Sequence, residues 1–145
     1  MRGGMVGSDG EGIPGWRRAA RAVHLGVARL LWIGVLLQFY SSWLMLAGRP
    51  HVHAVGGWLL IAGGVLAGGS AVAGYGLRAP RVGRACLLVL LLIAQPVIAF
   101  VLAARSPFLG AFHPLNGLLV FVLLTGLSRA DRALGPLAPS RSPAL

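Results

Sequence analysis

Apolar residues fall along this chain in four long stretches divided by short polar breaks. Several of them approach or exceed the ~18 residues that read as a membrane span. The pattern predicts spans over about 27–47, 53–75, 85–104 and 114–127. Gly48-Arg49-Pro50 ends the first, because proline cannot extend a helix and turns the residue before it away from helical geometry. A basic turn, residues 76–84, separates the second from the third. Gln95-Pro96 predicts a kink inside the third. The fourth is short for a full crossing, so Phe108-Leu109-Gly110-Ala111-Phe112 before it is expected to dip into the interface.

The ends of the chain read differently. Residues 1–20 are Gly-rich and basic and are expected to form a disordered tail, with Trp16-Arg17-Arg18 approaching the membrane surface. Residues 129–145 are basic and Pro-rich and are expected to be a second disordered tail. Residues 21–128 make the four-helix domain between them. A cleaved signal peptide does not fit, because the first apolar stretch is too long and no convincing cleavage site follows it.

Composition strengthens the membrane assignment. Hydrophobic residues make up 57% of the 145, charged ones 11%, and mean hydropathy is +0.79. A soluble domain usually carries about 25% charge. A net charge of +10 is compatible with nucleic-acid binding, but the 13 basic residues are all Arg and gather at the ends of apolar stretches. That placement marks topology determinants and contacts with anionic lipid headgroups, not a nucleic-acid face. Arg2, Arg17, Arg18, Arg21, Arg78, Arg81, Arg84, Arg129, Arg132 and Arg141 all fall on one side of a four-span layout. The connections on the other side carry only Arg49 and Arg105. The positive-inside rule then puts both termini in the cytoplasm of a multi-pass cell-membrane protein. The single cysteine, Cys86, excludes an intramolecular disulfide and is expected to be a small packing residue.

The polar residues within this apolar frame repeat. His53-x-x-x-Gly57 opens the second span and His113-x-x-x-Gly117 opens the fourth, an interval of 113 − 53 = 60 residues. Gln38 and Gln95 each lie nine residues before the end of the span preceding, since 47 − 38 = 9 and 104 − 95 = 9. At ~1.5 Å per residue both amides sit roughly 14 Å below the outer edge. The expected fold is an all-α membrane bundle, four helices up-down-up-down, built from two two-helix repeats. Spans two and four are then diagonal, roughly 12–14 Å apart, too far for the histidines to meet directly. That gap suits two imidazoles reaching toward one metal in a flat macrocycle, with Gly57 and Gly117 clearing space for the ring.

With Gln in spans one and three, His-x-x-x-Gly opening span two and His113-Pro114-Leu115-Asn116-Gly117 opening span four, the chain resembles an uncharacterised family of small four-helix bacterial membrane proteins. The resemblance covers roughly Arg21 to Arg129, implies the four-helix architecture and brings no activity with it. More loosely, the layout is similar to small b-type cytochromes that hold haem between histidines on bundle helices.

Two functions follow as expectations. In the first, His53 and His113 are axial ligands of haem b near the outer face, in an electron-transfer protein. In the second the chain is a haem-free structural or accessory subunit, and the Gly-rich second span, with Gly64-x-x-x-Gly68, docks a partner or a second copy. The histidines would then be interfacial residues at helix starts. Pro114 pushes His113 toward an extended, capping conformation, which favours that reading. Gln38, Gln95 and Asn116 are expected to make helix–helix polar contacts, with Asn116 in the first helical turn also bonding to the nearby loop. His51 with His53 lacks a third ligand for a metal chelate, and His24 reads as a headgroup contact. Asp9, Glu11 and Asp131 are the only acids and all lie outside the spans. No catalytic constellation is expected, and a minimal transporter, which usually needs an intramembrane carboxylate, ranks last.

Overall fold

The computed structural model describes residues 13–132, and within them it is entirely helical. Helix α1 spans Gly15–Leu46, α2 Pro50–Tyr75 and α3 Pro80–Pro96. A π-helical segment, Val97–Leu102, continues α3 into the short α4, Ala103–Arg105. One further turn, α5 at Pro107–Gly110, precedes α6 at Phe112–Arg132. Four continuous helical stretches are long and apolar enough to cross a membrane: Gly15–Leu46, Pro50–Tyr75, Pro80–Arg105 and Pro107–Leu127.

Sequence chemistry explains the boundaries. Helices α2, α3 and α5 each begin with proline in the first turn, where its missing N–H has no partner to lose. Gly48 and Gly76 close the two tight turns at φ near +80°, a conformation open to glycine without strain. Pro96 sits inside the third stretch and the wider π turns follow it at once. A proline cannot bond back one turn, and the backbone adjusts by widening rather than by breaking.

Several helices extend beyond the expected spans, and two of their starts change the reading. Helix α1 starts at Gly15, so residues 15–20 belong to it; nothing between Gly15 and Ala47 breaks a helix, and hydropathy reads membrane depth, not helix length. Helix α6 starts at Phe112, which puts His113 inside the first turn, not in an extended cap. Pro114 is tolerated there because the first amides of a helix are unbonded anyway. Helix α6 runs on to Arg132, so residues 129–132 of the expected 129–145 tail are helical, again because arginine and alanine favour a helix; residues 1–12 and 133–145 lie outside the described residues.

Helix α1 packs on α2 and α6, and α3 packs on the same two. The backbones of α2 and α6 do not approach one another, nor do those of α1 and α3, so the four form a ring with two diagonals. Leu31 and Val35 of α1, Leu60 and Ala67 of α2, Leu88 and Leu92 of α3, and Val120, Leu124 and Leu127 of α6 fill its centre. The outside is apolar as well: Leu30, Trp43, Leu59, Leu90, Phe100 and Val122 are all exposed. In water such a surface would aggregate, whereas in lipid it is solvated.

The Gly-rich face of α2 is used within the chain. A Cβ at Gly64 would stand 2.5 Å from Leu92 Cδ1 and one at Gly68 3.2 Å from Val89 Cγ2, so α3 occupies the Gly64-x-x-x-Gly68 face. Cys86 is exposed on α3, contrary to expectation. His24 also differs, being only 1% exposed. Its Nδ1 donates to the Ala67 carbonyl at 2.9 Å, since α1 runs continuously past the small residues of α2. On the far side, Trp32 Nε1 donates to Thr125 Oγ1 at 3.2 Å and ties α1 to α6. Trp32→Phe is expected to lower stability by ~0.6 kcal/mol, the usual worth of one interhelical hydrogen bond in a membrane protein, read as a small drop in the melting midpoint in detergent.

Candidate functional site

The site is assembled by two glutamine clamps. Gln38 on α1 donates from Nε2 to the His53 carbonyl at 2.6 Å. Gln95, with its amide turned so that each contact pairs a donor with an acceptor, donates to the His113 carbonyl at 3.1 Å and accepts from the Gly117 N–H at 3.0 Å. Each glutamine therefore reaches from one helix to the exposed backbone at the start of the next. Glycine makes that backbone reachable. A Cβ at Gly117 would lie 3.3 Å from Gln95 Nε2, and one at Gly57 3.5 Å from Gln38 Nε2. A Cβ at the neighbouring Gly56 would overlap Gln38 Oε1 outright. On α6 the glycine one turn after the histidine thus accommodates an amide, whereas on α2 that use falls to Gly56, a Cβ at Gly57 making only ordinary contact; the spacing alone suggested room for a flat ring.

The histidines follow from these clamps. Ser41 Oγ is 2.9 Å from the Gln38 carbonyl and 3.0 Å from His53 Nδ1. A carbonyl only accepts, so the hydroxyl donates to it and receives the His53 Nδ1–H, which leaves Nε2 of His53 with a bare lone pair. His113 Nδ1 stands 3.3 Å from the Gln95 backbone carbonyl and 2.9 Å from the Gln95 amide nitrogen. Donation to the carbonyl likewise bares Nε2; acceptance from the amide puts the proton there. The two rings meet across the α2–α6 diagonal with centroids 6.0 Å apart and planes inclined by 62°. They were expected to stay out of direct contact; instead they form an edge-to-face pair, because each side chain reaches inward from its helix.

Both rings border a cavity of about 460 Å³ enclosed by α1, α2, the third helical stretch and α6. Val35, Leu60, Leu92 and Val120 form its apolar wall on the core side, and Gln38, Gln95, Gly57 and Gly117 also line it. Ala99 and Phe100 of the π segment and Ala103 close another side, so the wide turns after Pro96 shape the space.

Comparisons with protein-family models, curated proteins and solved structures found no match.

The structure brings six of the seven expected site residues to this cavity. The seventh, Asn116, is buried and turned away, its Nδ2 donating to the Leu91 carbonyl of α3 at 2.7 Å; the bond is a contact between two helices, with the Leu91 carbonyl and not the loop as its partner. His51 is exposed, and among the described residues no three His, Cys, Asp or Glu gather as a metal cluster. Ser41 went unremarked in the sequence. Its signal was its position three residues after Gln38, on the same helix face. Chemically, the site offers two imidazoles to an apolar space with no carboxylate on α1, α2 or α3.

Proposed function

We propose that this chain is a small multi-pass membrane protein that holds a b-type haem between His53 and His113. The observation that carries the reading is the 6.0 Å approach of the two rings beside the cavity. Two imidazoles bound to one metal at about 2 Å each have centres roughly 6 Å apart. The cavity volume of about 460 Å³ falls in the ~300–1,000 Å³ range of cofactor sites and is mostly apolar, as such sites are. Histidines that bind metal regularly donate their other ring N–H to a neighbour, a role open here to Ser41 for His53. Haem bound this way supplies reversible one-electron transfer. The chain's own part is to hold the two rings, keep water out with the leucine and valine wall, and set the ring tautomers.

In this reading the helices run up-down-up-down as two copies of a Gln-helix followed by a His-x-x-x-Gly helix. Both termini face the cytoplasm and the cavity opens toward the outer side. A haem-free accessory subunit is the second reading. It is favoured by the glutamine clamps, which by themselves give the His-x-x-x-Gly spacing a packing role. The absorbance of protein purified from haem-replete cells separates the two. A Soret band that shifts on reduction is expected, and a colourless protein would leave the accessory role standing.

A further inference from the structure

The two histidines beside the cavity are wired differently. Gln95 is oriented by two backbone groups that cannot exchange roles. The Gly117 N–H only donates, so the Gln95 side-chain oxygen faces it at 3.0 Å. The His113 carbonyl only accepts, so the amide nitrogen faces it at 3.1 Å. That same nitrogen stands 2.9 Å from His113 Nδ1. An amide nitrogen carries two hydrogens and accepts none, so its second hydrogen goes to Nδ1. Nδ1 therefore accepts, and the ring proton of neutral His113 sits on Nε2. His53 is the reverse case. Its Nδ1–H is taken by Ser41, whose own hydrogen goes to the Gln38 carbonyl, and its Nε2 is bare. Ser41 lies three residues after Gln38; the same step from Gln95 reaches Ile98, which has no polar side-chain atom. The recurring Gln and His-x-x-x-Gly units thus place opposite tautomers beside one cavity.

We propose that Gln95 is a positioning residue that holds His113 in the Nε2–H form, so that His53 alone is poised as a metal ligand before haem binds. The consequence for loading rests on the haem reading; the tautomer does not. A metal takes an imidazole nitrogen through its lone pair. For His113 to become a ligand, the proton on Nε2 must leave and one must be gained at Nδ1, with no net change in charge. The Gln95 amide then loses its bond to Nδ1. The new Nδ1–H has the Gln95 main-chain carbonyl to donate to, 3.3 Å away. Loading thus costs the chain one hydrogen bond at Gln95.

The full chain, isotope-labelled in its histidine nitrogens and kept free of haem in detergent, reports each tautomer through its ring-nitrogen chemical shifts. At mildly alkaline pH, where imidazole is neutral, His113 is expected as Nε2–H and His53 as Nδ1–H. Gln95→Met removes the amide and leaves the main-chain carbonyl. His113 is then expected to switch to Nδ1–H, and added haem to bind about fivefold more tightly, the worth of one ordinary hydrogen bond. Should Gln95→Met fail to fold, Gln95→Glu is expected to make the same switch, because its carboxylate accepts from the Gly117 N–H and donates nothing to Nδ1. A purely structural role for Gln95 would lower the melting midpoint and leave the tautomer in place. Wild-type His113 already in the Nδ1–H form would overturn the proposal, as would an Nε2–H form that survives both substitutions. Haem uptake by neither wild type nor variant would sink the haem reading, while the nitrogen shifts still decide the tautomer.

Discussion

Alanine at His53 or at His113 is expected to remove the Soret absorbance almost completely, while alanine at His51 leaves it intact. The two rings stand on helices whose backbones do not touch, so neither can substitute for the other. His51 is exposed on the outer turn of α2 and does not line the cavity. Folding should survive both losses. Each ring is only half-buried at the cavity rim, and the leucine-rich centre lies deeper in the bundle. The clamps also survive, since Gln38 and Gln95 bond to the histidine backbones, not to their rings alone. Ser41→Ala is a graded companion. It removes only the oxygen that takes the His53 Nδ1–H and is expected to weaken cofactor affinity ~10–100-fold without abolishing it. The measurements are absorbance per mole of protein and helicity by circular dichroism. A folded His113→Ala protein with undiminished Soret absorbance would rule out His113 as a ligand.

Gly74→Ala is expected to destabilise the bundle by ~1–3 kcal/mol, seen as a clear fall in melting midpoint. The new Cβ would stand 2.8 Å from Arg21 Cγ, 3.0 Å from the Arg21 backbone nitrogen and 3.3 Å from its Cα. A side-chain end can swing aside, but a helix backbone cannot, so α1 and α2 must separate locally. That separation also strains the Arg21–Gly74 hydrogen bond. Gly69→Ala makes the opposite case. Nothing lies within 4 Å of its Cβ, and replacing a helix-interior glycine there is expected to be neutral or to stabilise by up to ~1 kcal/mol. If the two alanine variants melt alike, close approach at Gly74 does not hold the helices together.

Much of the fold was legible in the residues. Four apolar stretches with arginine-rich turns leave a chain in a bilayer few choices, because every backbone polar group must bond within its own helix. The helix ends were less legible. Hydropathy falls off where arginines begin, but arginine is a good helix former, so α1 continues back to Gly15. His24 belongs to the same continuous helix. In isolation it is a polar residue near a basic end, and only the register of α1 against Ala67 shows that it is buried. Pro114 misled in the other direction, since its bias acts on a residue that the α5 turn already delivers into helical geometry. Cys86 faces outward because the face that α3 buries runs through Val82, Ala85, Leu88 and Leu92.

Residue order alone sets the helical class, the four spans, and the interval at which a glutamine and a His-x-x-x-Gly unit recur. These rest on local chemistry: hydropathy, proline at helix starts, glycine at tight turns. The tertiary structure decided what the repeated unit does. A glycine one turn after a histidine has the same meaning on paper whether an amide or a flat ligand lies against it. Only the packing of α1 on α2 and of α3 on α6 puts the glutamines there, and only the α2–α6 diagonal brings His53 and His113 to 6.0 Å around a shared cavity. Distances between side chains on non-adjacent helices depend on tilt, register and widened turns such as Val97–Leu102, and no periodicity in the chain encodes them.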